Sequence, residues 1–282
     1  MLRTTSTLGR AFIPKSGHAR LAGVRNAFSV PLVISVMGGP GSGKGTQCTR
    51  LQTFLADDTR LHPCKARLPR RIYHINVGML LRDEALSNPD LRLDDGKSLS
   101  SWLADGRIVP SSVSVGIIQK EIKRITAEIA AAAAANAAAP RSPITPPYPP
   151  AILLDGFPRS LENLKAYEAA IGPLNAMVLV DVDPAVMMER VARRSQSGHK
   201  RSDDAMAAQR TRVFEANMGK IEARFTAVAV DKIVENGGAE NMYDARALRM
   251  HPICVHIDGN GDVEGVQAQM RAAVTSLVNA AY

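Results

Sequence analysis

A short apolar run, Leu32–Met37, leads straight into Gly38-Gly-Pro-Gly-Ser-Gly-Lys-Gly-Thr46, where five of nine residues are glycine. No other segment constrains the fold as much. A buried strand that ends in a glycine loop and opens a helix, predicted over Gly43–Ala56, presents several backbone N–H groups to one point. The helix dipole adds to the pull on an anion there. Lys44 supplies a compact positive charge for terminal phosphates. A dinucleotide fingerprint G-x-G-x-x-G has no register here, because counting from Gly39 or Gly41 puts Lys44 or Thr46 at the last position. Lys44 is followed by Gly45, and the hydroxyl comes one residue later, at Thr46. This spacing points to a magnesium ion held mainly through waters and substrate phosphates.

The remaining chain alternates short apolar runs with longer periodic ones. Strands are predicted at Leu32–Met37, Ile72–Ile75, Ala151–Leu154, Ala176–Val182 and Ile253–Ile257. Helices are predicted at Gly78–Leu86, Val113–Ile125, Ser160–Ala170, Pro184–Ser195 and Asp262–Val278. Unbroken apolar strands between amphipathic helices predict an α/β fold: a central parallel five-stranded sheet covered by helices on both faces, in three layers. Three stretches read as surface insertions: the basic Asp57–Arg71, the polyalanine-to-proline stretch Ala127–Pro150, and Lys232–His251. Surface loops tolerate such length at small entropic cost.

Composition narrows the possibilities further. Residues 1–31 carry Arg3, Arg10, Lys15, Arg20 and Arg25 and no acid, so more than half of the net charge of +8 sits in that segment. An Arg-rich, Ser/Thr-rich, acid-free start reads as a mitochondrial transit peptide outside the folded domain at 32–282; a disordered basic tail on a cytoplasmic protein is the alternative. The overall basicity therefore argues less for a nucleic-acid footprint than the net charge suggests, and a basic nucleic-acid-binding P-loop protein is a third reading. With aromatics at 4%, base stacking on aromatic platforms is disfavoured. No apolar run approaches the roughly 20 residues of a membrane span. Three cysteines do not make a disulfide framework or a four-cysteine zinc site. Cys48, one turn into the loop helix, reads as a packing residue, and the six histidines show no ligand spacing.

Two further signals carry chemistry. Ile152-Leu-Leu-Asp-Gly-Phe-Pro-Arg159 ends a buried strand on Asp155, a carboxylate suited to orient magnesium waters. Gly156 allows close backbone approach, Pro158 sets a turn, and Arg159 can fork onto a phosphate. Asn163 follows four residues on. The second signal is a set of arginines. Arg190 and Arg194 share a helix face, as do Arg201 and Arg212 if their segment is helical, and Arg82 lies in the predicted Gly78–Leu86 helix. One such arginine is ordinarily a surface cation. A set around Lys44 suits phosphoryl transfer between two anions, which demands charge and positioning.

GGPGSGKGTQ, LLDGFPRSLEN and KRSDD followed by Arg212 together resemble the nucleoside monophosphate kinases, the family of adenylate and UMP-CMP kinases. The resemblance covers about Leu32 to Val278 apart from the insertions. It implies a small monophosphate-binding region at about 76–110, a short lid at about 195–204, and reversible transfer from Mg·ATP. By this likeness Gly41, Ser42, Gly43, Lys44, Gly45 and Thr46 hold the ATP phosphates. Arg194 contacts ATP with Arg190 assisting, and Gly261 offers a backbone contact to the ATP adenine. Arg82, Arg159, Arg201 and Arg212 hold the monophosphate and the transferring group. Arg107, Ile108 and Val109 line the acceptor together with Gly156, Phe157, Pro158 and Asn163, and Asp155 reaches magnesium through water. The lid lacks the cysteines of zinc-bearing lids, so no structural metal is expected. The partners implied are nucleotides alone, without nucleic acid or membrane insertion, acting on a monomer.

The acceptor is read from single positions. Adenylate kinases resemble this chain but carry Gln where Asn163 stands and Thr where Val77 stands. UMP-CMP kinases are similar at both positions, and the shorter amide suits a smaller ring. UMP or CMP is thus preferred over AMP. Asn76, Val77, Met79 and Ala205 depart from the family pattern, which keeps a non-catalytic nucleotide-binding scaffold as the competing class.

Overall fold

In the computed structural model, residues 31–57, 72–137, 151–196, 206–236 and 251–281 are described. β1 (Leu32–Met37) is buried along its whole length. Its side chains alternate between two cores, as strand geometry demands. Leu32, Ile34 and Val36 face one, and Val33 and Met37 face the other. The same division continues in β3 (Ala151–Asp155), where Leu153 faces the first core and Ile152 and Leu154 the second. It recurs in β4 (Ala176–Asp181), with Val178 and Val180 against Met177 and Leu179. These strands are apolar at nearly every position because both faces of the sheet are covered.

β2 (Ile72–Asn76), β5 (Thr226–Ala229) and β6 (Ile253–Asp258) complete a sheet ordered β2-β3-β1-β4-β6-β5, with every pairing parallel. The α/β layering is as the sequence predicts, but the sheet has six strands instead of five. β5 escaped the pattern because it is an edge strand of four residues with only Val228 buried. A strand covered on one edge and one face needs no apolar run.

Helices α1 (Lys44–Asp57), α8 (Val230–Glu235) and α9 (Val263–Ala281) close the first core. Helices α2 (Val77–Ser87), α3 (Leu99–Ala104), α4 (Ser111–Ala137), α5 (Leu161–Ala170) and α7 (Ala207–Glu222) cover the second. α6 is Pro184–Gln196. Two expected insertions begin as regular structure. The polyalanine stretch prolongs α4 to Ala137, because alanine has the highest helix propensity and no breaker intervenes before Pro140. The segment after Lys232 starts inside α8, which buries Val230 and Ile233. The expected transit segment apart from Pro31, the basic stretch beyond Asp57, the proline-rich tail and most of the lid lie outside the described residues.

The region at 76–110 is held by local contacts. Val77, Leu81 and Ala85, four apart, bury one face of α2. Past it, Asp95 accepts hydrogen bonds from Trp102 Nε1 at 2.8 Å and Arg107 Nη1 at 2.6 Å. The Arg107 guanidinium also lies 3.5 Å from the centre of the Trp102 ring, a cation–π arrangement. This clasp depresses the Asp95 carboxyl from its ordinary value of 3.8 to about 2, chiefly through the Arg107 hydrogen bond. A depressed carboxyl adds stability that is present above pH 4 and lost as pH falls through 2. Carboxyl NMR should therefore show Asp95 titrating near pH 2, and Arg107→Ala should return it toward 3.8; an unshifted value in both proteins contradicts the clasp.

Candidate active site

Parallel pairing of β1 with β3 sets two loops side by side at the carboxyl ends of the strands. Val36 is in register with Asp155, and Gly156 N–H donates to the Val36 carbonyl at 3.0 Å. The first loop is the glycine segment. Gly41 has φ +85°, and a Cβ there would lie 2.3 Å from the Met187 carbonyl oxygen. Only glycine fits, so α6 packs directly on the loop backbone. The Ser42 hydroxyl is buried without a hydrogen-bond partner. A buried orphan hydroxyl within a converging loop fits a phosphate oxygen. Gly43 also has positive φ, with open space around it, and Gly45 and Thr46 continue into the first turn of α1, with Thr46 exposed.

Lys44 Nζ donates to the Gly39 carbonyl at 3.2 Å, which arches the side chain back over the loop. Its Cε lies 3.8 Å from where a Gly156 Cβ would be. Arg159 Nε donates to the Gly156 carbonyl at 3.2 Å. Lys44, Gly156 and Arg159 therefore form one continuous wall of a cleft, joined by Met37, Gly38, Gly106, Arg107, Ile108, Arg210 and Phe214 among others. Arg159 Nη2 and Arg82 Nη1 come within 3.5 and 3.6 Å of the point a Gly78 Cβ would occupy. Two guanidiniums thus meet at the first turn of α2, whose N-cap Asn76 accepts from Met79 N–H at 2.9 Å.

Asp155 is buried at 3% exposure and is oriented from β2. Its Oδ2 accepts from Asn76 Nδ2 at 2.8 Å and meets His74 Nε2 at 3.2 Å. The ligand atoms of Cys48, His74 and Asp155 all lie within 4.8 Å of one another, a group that could hold a metal ion. Linear spacing hid this cluster, because its members come from α1, β2 and β3. Burial and the nearby Asp155 charge push the Cys48 thiol well above its usual range, so it is a packing thiol and not a reactive one. Asn76, which departs from the family pattern, is here both a helix cap and an orienter of Asp155.

The arginine set divides. Arg82 and Arg159 converge as expected. Arg107 lines the cleft, but its guanidinium is tied to Asp95. Ile108 lines the cleft, whereas Val109 is buried in the second core. Arg190 donates to the carbonyls of Gly259, Asn260 and Gly261 at 2.9, 3.3 and 3.1 Å. It therefore braces the loop carrying Gly261 instead of reaching toward the glycine loop. Arg194 is half-buried in the last turn of α6. Arg201 lies outside the described residues. Arg212 is exposed and does not line the cleft; Arg210 does, because two residues along a helix turn a side chain to nearly the opposite face.

Phe157 and Pro158 are buried, and Ser35 Oγ donates to the Phe157 carbonyl at 2.6 Å. This bond anchors the start of the turn to β1. Asn163 is 3% exposed. Its Oδ1 accepts from Arg159 N–H at 3.3 Å, and its Nδ2 donates to Ser111 Oγ at 2.9 Å. Neither Arg210 nor Ser111 was foreseen, since each acquires its role from where a helix turns or begins.

A family model described as an AAA domain matches residues 37–209, the span from the end of β1 into α7. The chain is 27% identical to the UMP-CMP kinase of Homo sapiens over 220 residues, covering 73% of this chain and 94% of the human protein. It is 30% identical to the UMP-CMP kinase of Xenopus laevis over 177 residues, covering 62% and 73% of the two chains. It is 34% identical to that of Prunus armeniaca over 167 residues, covering 59% and 54%. With the glycine loop, Asp155 and Arg159 gathered at one end of a parallel sheet, these similarities establish that the chain belongs to the nucleoside monophosphate kinase family of P-loop enzymes.

Proposed function

We propose that this enzyme transfers the γ-phosphoryl group of Mg·ATP reversibly to UMP or CMP. The observation that carries the reading is the convergence of Arg82 and Arg159 at the start of α2, with Arg159 on the same cleft wall as Lys44. A donor triphosphate in the glycine loop and an acceptor phosphate at α2 would then face each other. An acceptor oxygen attacks the γ-phosphorus in line, the bond to the β–γ bridging oxygen breaks, and ADP leaves. No side-chain base is required, because the attacking phosphate is already an anion. Lys44 and the guanidiniums neutralise the charge spread over the transferring group.

Magnesium, when bound with ATP, would supply further neutralisation of phosphate charge. Asp155 would hold it through water, with its carboxylate kept in place by Asn76 and His74. Arg190 contributes by fixing the Gly259–Gly261 loop, which fits an adenine contact at Gly261. Among α7 arginines, Arg210 is the one placed to serve the cleft. Residues 1–31 fit a mitochondrial address.

Asn163 supports the pyrimidine acceptor. Its amide is bonded to the Arg159 backbone and to Ser111 at the start of α4, and a side chain one methylene shorter than Gln suits a smaller ring. The UMP-CMP kinase relatives agree with this choice.

Lys44→Ala and Arg159→Ala should each lower kcat by about 10²- to 10⁴-fold with little change in thermal unfolding. Rates like the wild type in a coupled ADP assay refute the site. With Mg·ATP fixed and AMP, CMP, UMP, dCMP and GMP offered in turn, kcat/KM should be highest for CMP and UMP, and Asn163→Gln should shift the ratio toward AMP. A wild-type preference for AMP refutes the pyrimidine reading. Residues 1–31 fused to a fluorescent reporter should carry it into mitochondria, and a cytosolic signal removes that address.

A further inference from the structure

We propose that Ser111 is a positioning residue that sets acceptor-base recognition by fixing the amide of Asn163. This inference rests on the pyrimidine reading above and names a second residue in its specificity.

A side-chain amide is nearly symmetric in shape but opposite in polarity at its two ends. It offers one carbonyl oxygen with two lone pairs and one nitrogen with two N–H groups. Uracil and cytosine present different donor and acceptor patterns along the edge such an amide would read. With one donor end and one acceptor end the amide can serve either base, but if it rotates freely it must be ordered when the base binds. One held at both ends is preorganised, and the base meets no reorganisation cost.

Asn163 is held at both ends. The Arg159 backbone N–H can only donate, so it fixes Oδ1 on its side at 3.3 Å. Ser111 Oγ accepts from Nδ2 at 2.9 Å across 52 positions of sequence. That leaves one N–H and one lone pair for a ligand. The backbone of Asn163 is fixed as well, since its N–H donates to the N-cap Ser160 Oγ at 3.2 Å. The side chain is nearly fully buried, so an unpaired amide proton there is costly.

Ser111 is placed for this work by its position. It opens α4 directly after Arg107-Ile108-Val109-Pro110, of which Arg107 and Ile108 line the cleft. A serine at a helix start ordinarily turns its hydroxyl onto a nearby backbone N–H. In α4 the first amides are served otherwise: Val113 and Ser114 N–H both donate to the Pro110 carbonyl at 3.1 Å. The Ser111 hydroxyl is instead given to α5. The bond thereby ties the stretch that lines the acceptor to the loop that carries Arg159.

The test uses the full-length enzyme and steady-state kinetics for UMP, CMP and ATP. Ser111→Ala should raise KM for UMP and CMP by about 3- to 10-fold, the effect of one neutral hydrogen bond. KM for ATP and kcat should stay within about twofold, because Ser111 touches neither phosphate nor the glycine loop. Ser111→Thr, which keeps the hydroxyl, should restore the acceptor KM. In an Asn163→Ala background, Ser111→Ala should add little, since the two residues act as one unit.

The inference is overturned by an unchanged acceptor KM, by additive effects in the double variant, or by parallel rises in acceptor and ATP KM. That last result marks a general structural loss, which a melting curve on the same variants also detects. Failure of the wild type to use UMP or CMP overturns the pyrimidine reading and this inference together. Normal pyrimidine turnover with an indifferent Ser111 overturns this inference alone.

Discussion

The pairing of β1 with β3 is the constraint on which the rest depends. One backbone bond, from Gly156 N–H to the Val36 carbonyl, closes the register at the point where both strands end. It places the glycine loop and the Asp155–Arg159 turn next to each other, so that Lys44 and Arg159 share one cleft wall. Both strands are buried on both faces, and a one-residue slip would exchange their two apolar faces between the two cores. The site's geometry is therefore protected by the energy of the whole core and not by the polar contacts within it.

Around this pair, charge is organised by backbone. The glycine loop offers N–H groups, α2 begins beside two guanidiniums, and Arg190 is spent on three carbonyls. Among the described residues, Asp155 is the one buried carboxylate, and it is held by Asn76 and His74. Such a site binds anions by prearranged dipoles and cations, and this suits a reaction in which both substrates are highly charged and the transferred group spreads negative charge over its oxygens.

Family likeness and geometry agree on the loop, Asp155 and Arg159, and they part at the arginines further along. Arg212 occupies the position the family pattern expects, but α7 presents Arg210 to the cleft. Asn76 departs from the family pattern, yet it caps α2 and orients the buried Asp155 carboxylate. Departures from a motif thus need the surrounding hydrogen bonds before they can be judged.

The contiguous features were legible in the residues. Gly41–Thr46, Asp155 and Arg159 each lie at or just past the end of an apolar run, so local order alone puts them at the end of a strand, and burial on both faces made β1, β3, β4 and β6 readable, with the edge strand β2 giving a weaker signal. What escaped was whatever depends on an edge, a helix phase or a distant partner. β5 has three of its four residues exposed and no pattern; His74 reaches Asp155 because β2 joins β3; and α7 turns Arg210 to the cleft but not Arg212. Ser111 finds Asn163 because α4 starts beside α5. Sequence determines local dihedral preference and which faces must leave water. Only the packed chain decides which side chains then share a direction, because that follows from how whole elements are oriented against one another.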